Sequence, residues 1–309
     1  MKIIINNNHQ SKNMAASGSI TGNNICIFSH YFDEDYIPVY VLVYLKELKN
    51  YFDEILLITN SRKIKNAKTV ESLNISLMLV ENEGYDFGMF YKGFQKINYK
   101  NYDQIACIND SNVVFGNLKF LFDWGENQQV DFWGLVDSYQ KPTYSTHQNN
   151  YHLQSHFIVF NKNAVELLPE FFSHINFEEL FTEKNISRLK KKIIINWEIG
   201  LTQFLIHKNL TCKAYLNSKE YSLKYKNGKP VNVPTKLYAE TIARGVPILK
   251  KRVITSTDLR HNLTWKGNWK RLIRRYGDRN FEVDSIIGEL SYIRKKHIQM
   301  KLRKILSAG

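Results

Sequence analysis

Between Leu79 and Ser111 the chain places two polar clusters on either side of a helix-like stretch, Gly84-Tyr85-Asp86-Phe87-Gly88 and Asn109-Asp110-Ser111. Gly84 and Gly88 permit a tight turn and the close approach of a ligand to backbone, and Asp86 sits between them. Asp110 is the next carboxylate, at the end of the apolar run Ile105 to Ile108. Open α/β sheets bind ligands outside the carboxyl ends of their strands, so two polar strand exits joined by one crossover helix face the same crevice. That crevice is the candidate active site. Capping and turn formation use the same residue types, so each cluster alone also fits an ordinary helix start or turn.

The flanking elements predict an α/β architecture with a central, mostly parallel sheet and helices on its faces. Ile25 to Ser29 reads as a buried strand. His30 to Asp35 forms its polar exit, and a helix follows over Tyr36 to Asn50, with Pro38 in its first turn and Asp33 to Asp35 as caps. Ile55 to Thr59 and Ile75 to Val80 are the next strands. Further on come a short helix over Asn117 to Trp124, a strand over Val130 to Val136 and a polar, turn-rich segment from Gln140 to Tyr151, which is a candidate acceptor-side loop. His152-Leu153-Gln154-Ser155-His156 then leads into the buried strand FIVF, and Ala164 to His174 is a helix. Asn196-Trp197-Glu198 precedes the helical spacing of GLTQFLIHKNL, which puts Glu198 at a helix start, and CKAYL closes as a strand. Residues 217–235 read as a loop, and KLYAETIARG as a helix ending at Gly245, with Pro247 preventing continuation. No GxGxxG follows the first strand and no GxxxxGK[ST] loop is present, so neither a dinucleotide site nor an ATP-driven mechanism is supported.

Composition narrows the class further. With 309 residues and a hydrophobic content of 43% the chain has a core sufficient for one large α/β domain with an appendage, or for two domains. The apolar run IPVYVLVYL stops at Lys46 and Glu47, short of the roughly 18 to 20 residues that span a bilayer. The start MKIIINNNHQSKN lacks the roughly 7 to 15 residue apolar stretch of a signal peptide, and a cytoplasmic location is expected. Cys26, Cys107 and Cys212 are far apart in apolar segments and read as buried reduced thiols.

The net charge is +14, and residues 241–309 hold 17 Lys and Arg against 5 Asp and Glu, so the excess sits in that last part and calls for an acidic partner. Three regions are expected: a mobile lead-in at 1–24, a domain at 25–256 and a basic amphipathic helical tail at 257–309. In the tail Trp265, Trp269, Leu272, Ile273 and Tyr276 lie beside Lys266, Lys270, Arg271, Arg274 and Arg275, a mixture suited to an anionic membrane surface. The same basic, aromatic composition also suits a non-catalytic nucleic-acid-binding protein. Against that stand the absence of a nucleic-acid motif and the acidic character of the crevice.

The order and wording of several blocks add a family expectation. GYDFGMFYKG, INDS, DFWGLVDS, HLQSHFIVF and PTKLYAETIARGVPILKK resemble, in that order from about Ile25 to Lys251, the rhamnan synthesis F family of bacterial polysaccharide glycosyltransferases, which have a GT-A-like nucleotide-sugar-binding fold. The resemblance implies transfer of rhamnose or another hexose from a nucleotide-diphosphate donor to a cell-surface polysaccharide or lipid-linked glycan, with inversion, at the inner face of the membrane. It implies Glu198 as the base that deprotonates the acceptor. It sets His30, Tyr31, Gly84, Asp86, Gly88, Asn109 and Ser111 against the donor, and His152, Gln154 and Ser155 against acceptor hydroxyls. Asp110 is expected to be catalytic, holding a divalent cation, Mg or Mn, that neutralises the diphosphate, since metal sites on phosphates use one or two carboxylates and retained waters. GT-A sites carry an Asp-x-Asp pair there, whereas Asn109-Asp110-Ser111 holds one acid.

Overall fold

The computed structural model describes residues 3–4, 23–61, 63–255 and 268–306. Eleven strands occur among them: β1 (Ile3–Ile4), β2 (Asn24–His30), β3 (Glu54–Thr59), β4 (Ser76–Leu79), β5 (Gln104–Asn109), β6 (Asn112–Val114), β7 (Phe132–Ser138), β8 (His152–Leu153), β9 (Phe157–Asn161), β10 (Cys212–Leu216) and β11 (Ile248–Lys250). Nine form one sheet in the order β1-β4-β3-β2-β5-β9-β7-β10, with β8 added to β7. Strands β4, β3, β2 and β5 are mutually parallel, β9 runs antiparallel between β5 and β7, and β10 is parallel to β7. The carboxyl ends of β5 and β7 and the amino end of β9 therefore meet at one edge. The expected α/β class with a mostly parallel sheet is the one observed.

Burial on both faces follows from the alternation of side chains along each strand. In β2, Cys26 and Phe28 enter one core while Ile25 and Ile27 enter the other. The second core is covered by α3 (Tyr85–Phe94), α5 (Lys162–Ser173), α6 (Phe177–Thr182), α7 (Ile186–Ile193) and α8 (Gly200–His207). The first is covered by α1 (Val39–Leu48), α4 (Lys119–Asn127), α9 (Ser218–Lys226), α11 (Tyr238–Ala243), α12 (Lys251–Thr255), α13 (Asn268–Tyr276) and α14 (Val283–Leu306). Short helices α2 (Ala67–Ser72) and α10 (Val233–Lys236) complete the set described.

Several sequence expectations are corrected. Residues from 268 onward are not a separate tail: Trp269, Ile273, Ile286, Leu290 and Ile293 are buried in the same core as Tyr40 and Tyr44 of α1. Trp269 and Ile273, expected at a membrane, are spent on that packing. Trp265 and Lys266 lie outside the described residues. Helix α1 begins at Val39, and Pro38 stands just before it rather than in its first turn. Asp33 to Asp35 do not cap it; Glu289 of α14 does, its Oε2 accepting from the Tyr40 amide at 3.2 Å, so a carboxylate from the far end of the chain meets the positive end of α1. Within the expected loop 217–235, Asn217 caps α9 by accepting from the Lys219 amide at 3.0 Å. Of the expected lead-in, β1 pairs antiparallel with β4, and residues 5–22 lie outside those described. The three cysteines are free thiols, Cys26 and Cys107 buried and Cys212 half-buried. Among the described residues no helix is long and apolar enough to cross a membrane.

Sequence periodicity gave no sign of a second sheet, in which β6 pairs antiparallel with β11 and Lys250 lies opposite Asn112. Three-residue strands leave almost no period to read. This pairing carries Lys250-Lys251-Arg252 to the exit of β5.

Candidate active site

Two carboxylates are brought together by an aromatic stack behind them. Phe87 of α3 and Trp197 lie with ring centroids 4.8 Å apart at 17°. Their chain neighbours Asp86 and Glu198 both border a cleft of about 490 Å³ at the carboxyl edge of the sheet. Asp86 is aimed by a strained turn: Gly84 has φ +72° and Tyr85, a non-glycine, has φ +53°. Gly84 and Gly88, expected beside the donor, are packed under α6 instead. A Cβ on Gly88 would sit 1.8 Å from the Glu83 carbonyl oxygen, and one on Gly84 would stand 3.1 Å from Leu180.

Glu198 is not at a helix start. It lies within a π-helical segment, Ile194–Ile199, that continues from α7 into α8. In the wider turn the Ile195 carbonyl accepts from the Gly200 amide, and His147, from the segment Gln140 to Tyr151, donates its Nε2–H to the same carbonyl at 3.0 Å. The site segment and the helix bearing Glu198 are thereby tied together.

Asn109, at the end of β5, donates its Nδ2–H to Asp86 Oδ2 at 2.7 Å, while its Oδ1 accepts from the Ser111 amide at 3.1 Å and from the Ser111 hydroxyl. Lys250 donates to Ser111 Oγ at 3.0 Å, and Ser155 Oγ donates to Glu198 Oε1 at 3.3 Å. Burial pushes the Asp86 carboxyl up to about 6, with the Glu198 charge adding to the rise and Asn109 opposing it. Burial likewise raises Glu198 above the usual carboxylate range, against the pull of Lys250 and the Ser155 hydrogen bond. Burial lowers the Lys250 ammonium to about 7, although Glu198, Asp86 and Asp110 all favour its charged form. Asp86 and Lys250 thus change protonation near neutrality beside a Glu198 whose carboxyl is shifted upward, an arrangement that suits proton transfer.

The wall opposite is polar. His156 donates Nε2–H to Gln154 Oε1 at 3.3 Å and accepts at Nδ1 from Asn112 Nδ2 at 2.9 Å. That arrangement leaves the Gln154 Nε2 donors buried with no partner in a side chain only 9% exposed that lines the cleft. His152 donates Nδ1–H to the Asn150 carbonyl at 2.7 Å, which leaves its Nε2 as an acceptor; burial lowers its pKa. Ser138, Gln140, Asn232, Thr235 and the exposed Arg252 also line it, and a wider hollow of about 660 Å³ shares Gln140 and Asn232 with it.

Asp110 lies apart from this cleft. Its Oδ2 accepts from Tyr40 OH at 3.0 Å and forms a close ion pair with Lys251 Nζ. The expected Mg or Mn ion asks for one or two available carboxylates and retained waters. Here the single acid of Asn109-Asp110-Ser111 is held by an ammonium and a phenol, and Asn109 Oδ1 is taken up by Ser111, so the donor set does not fit such an ion. Among the described residues no group of three or more His, Cys, Asp and Glu could hold a metal. His30 is fully buried, its Nδ1 3.0 Å from Thr59 Oγ1 and its pKa lowered by burial to about 4; it is neutral and does not line the cleft. Tyr31 is 45% exposed, donates to Asp33 Oδ1 at 2.7 Å and borders a separate pocket of about 180 Å³ with Lys251, Lys296 and Met300.

The fold thus unites Asp86, Asn109, Ser111, His152, Gln154, Ser155 and Glu198, and leaves Asp110, His30, Tyr31, Gly84 and Gly88 outside the cleft. Sequence reasoning missed Lys250, Arg252 and His156. The run Lys250-Lys251-Arg252 straight after apolar Ile248-Leu249 was the available signal, since cations directly behind a short buried strand are costly unless used.

A sequence model of the family described as Rhamnan synthesis protein F matches residues 55–307. The chain belongs to the rhamnan synthesis protein F family. The match runs through α13 and α14, beyond the blocks that resemble the family by eye. The virulence protein VirA of Vibrio anguillarum (strain ATCC 68554 / 775) is 27% identical over 248 residues, covering 71% of this chain and 72% of VirA. Among solved structures, a putative glucose-1-phosphate thymidylyltransferase from Bacillus anthracis aligns with a TM-score of 0.39 and 10% identity over 62% of this chain and 86% of its own. A putative nucleotide-diphospho-sugar transferase from Desulfovibrio desulfuricans G20 aligns with a TM-score of 0.38 and 12% identity over 83% and 99%.

Proposed function

We propose that this member of the rhamnan synthesis protein F family is an inverting glycosyltransferase of GT-A type. It moves rhamnose or another hexose from a nucleotide-diphosphate donor to a growing cell-surface polysaccharide or a lipid-linked glycan. The observation that carries the reading is the placing of Glu198 and Lys250 in one polar cleft at the carboxyl edge of the sheet. Family membership supports the reaction class. In the step proposed, an acceptor hydroxyl oxygen attacks the anomeric carbon as its proton passes to a Glu198 carboxylate oxygen. The bond from the anomeric carbon to the phosphate oxygen breaks, and its electron pair leaves with the nucleoside diphosphate. The upward shift that burial gives Glu198 makes its carboxylate a stronger base than an exposed one. Gln154, Ser155 and His152 offer donors and an acceptor to sugar hydroxyls, and Asp86 borders the donor.

Packing of the apolar faces of α13 and α14 into the core leaves Lys270, Arg271, Arg274 and Arg275 exposed on the other side. This positive face suits electrostatic contact with an anionic membrane, where a lipid-linked acceptor would be met, each basic residue adding on the order of 1 kcal/mol. The enzyme would then work at the cytoplasmic face. The functional test is a mass-spectrometric screen for turnover of common nucleotide sugars by the purified protein and by Glu198→Gln. Turnover that survives unchanged in the variant would remove Glu198 from the reaction, and the lack of any turned-over donor would count against the class.

A further inference from the structure

We infer that the cleft holds the diphosphate of its donor with side-chain cations of the chain, the Lys250 ammonium and the Arg252 guanidinium, and that nucleotide binding is independent of divalent metal. The inference rests on the glycosyltransferase reading and adds to it the means by which the leaving group is bound.

Three structural observations meet in it. First, the β6–β11 pairing fixes the backbone of Lys250 opposite Asn112, and the side chain reaches Ser111 Oγ at 3.0 Å at the exit of β5, the edge where an open sheet receives its ligand. Second, the adjacent Lys251 is turned the other way, into Asp110 and Tyr40. The carboxylate carried by the chain at the end of β5, Asp110, is thereby neutralised by the chain itself, while Lys250 and Arg252 are left lining the cleft. Third, Gln154 Nε2 is a buried donor with no partner in the same cleft, and a buried unpaired donor marks a place where a ligand acceptor belongs.

The charge balance is consistent with this arrangement. When the sugar's bond to phosphate breaks, negative charge grows on the departing diphosphate, and an ammonium and a guanidinium can stabilise it without a bound ion. Without ligand, burial holds Lys250 near the point of losing its proton. An arriving phosphate favours the charged form, so binding takes up a proton above about pH 7.

The test is isothermal titration of the full chain with UDP, GDP, CDP and dTDP, first in EDTA and then with added Mg or Mn. Binding of at least one of them in EDTA is expected, changed less than about twofold by either ion. Lys250→Met should weaken it about 10- to 100-fold, the usual value of a hydrogen bond to a charged group, whereas Lys250→Arg should retain most of it. Circular dichroism on each variant separates lost binding from lost folding, and the Arg variant carries the test if the Met variant does not fold. Affinity should also fall as pH rises through about 7. Binding that appears only with a divalent ion would overturn the inference and leave the glycosyltransferase reading standing. Equal affinity of wild type and a folded Lys250→Met in EDTA would overturn the role of Lys250. No binding of any of the four under either condition would overturn both.

Discussion

The pairing of Asp110 with Lys251 predicts a specific stability pattern. Asp110→Asn removes the negative charge but keeps an oxygen that can accept from Tyr40, so the change isolates the ion pair. Breaking a buried pair from one side typically costs about 3 to 5 kcal/mol, because the remaining charge is left unpaired. The Asp110 side chain is 10% exposed and that of Lys251 23%, so water reaches the remaining ammonium, and the expected cost is about 2 to 4 kcal/mol. For 309 residues the unfolding entropy is roughly 0.65 kcal/mol/K, which makes this a fall in Tm of about 3 to 6 °C. Lys251→Met should cost a similar amount, because it leaves the Asp110 carboxylate with the Tyr40 hydroxyl alone. The double variant removes both charges and should be at least about 1.5 kcal/mol more stable than the sum of the singles predicts. Thermal unfolding followed by circular dichroism, supported by urea titration of all four proteins, measures this. Strictly additive losses, or an Asp110→Asn protein as stable as wild type, would refute the argument that Lys251 holds Asp110.

Glu198→Gln should slow sugar transfer by about 100- to 10,000-fold while nucleotide affinity persists, and a collapse of affinity instead would move Glu198 into the donor pocket. Transfer should decline as pH falls through the raised pKa values of Glu198 and Asp86, the latter about 6, because the carboxylate forms are lost. It should decline again above about 7 as Lys250 gives up its proton, and a flat profile from pH 5 to 9 would contradict both assignments. Gly88→Ala should cost about 3 kcal/mol or more, since its Cβ meets the Glu83 carbonyl, whereas Gly288→Ala, inside α14 with open space around it, should raise stability by about 0.5 to 1 kcal/mol; Tm values of the two decide it. Charge reversal of Lys270, Arg271, Arg274 and Arg275 should abolish salt-sensitive co-sedimentation with anionic liposomes. Equal binding by the reversed protein would show that this face is not what contacts lipid.

The sequence alone determined the α/β class, because continuous apolar runs such as Ile55 to Ile58 alternate with helical periods and need no tertiary information to be recognised. With the family resemblance it also marked Asp86, Asn109, Ser111, His152, Gln154, Ser155 and Glu198, and equally Asp110, His30, Tyr31, Gly84 and Gly88, which do not line the cleft. Tertiary structure decided which of the acids face the cleft. Asp110 carries the same local signal as Asp86, but a carboxylate is available only if no distant cation claims it, and Lys251 follows directly on a three-residue strand whose pairing has no periodic signature. The C-terminal helices show the same division. Their composition, apolar residues at helical spacing among Lys and Arg, is identical whether the apolar face meets lipid or protein. Only the burial of Trp269, Ile273 and Leu290 in the core that α1 also covers, with Glu289 placed at that helix's first turn, makes them part of that core.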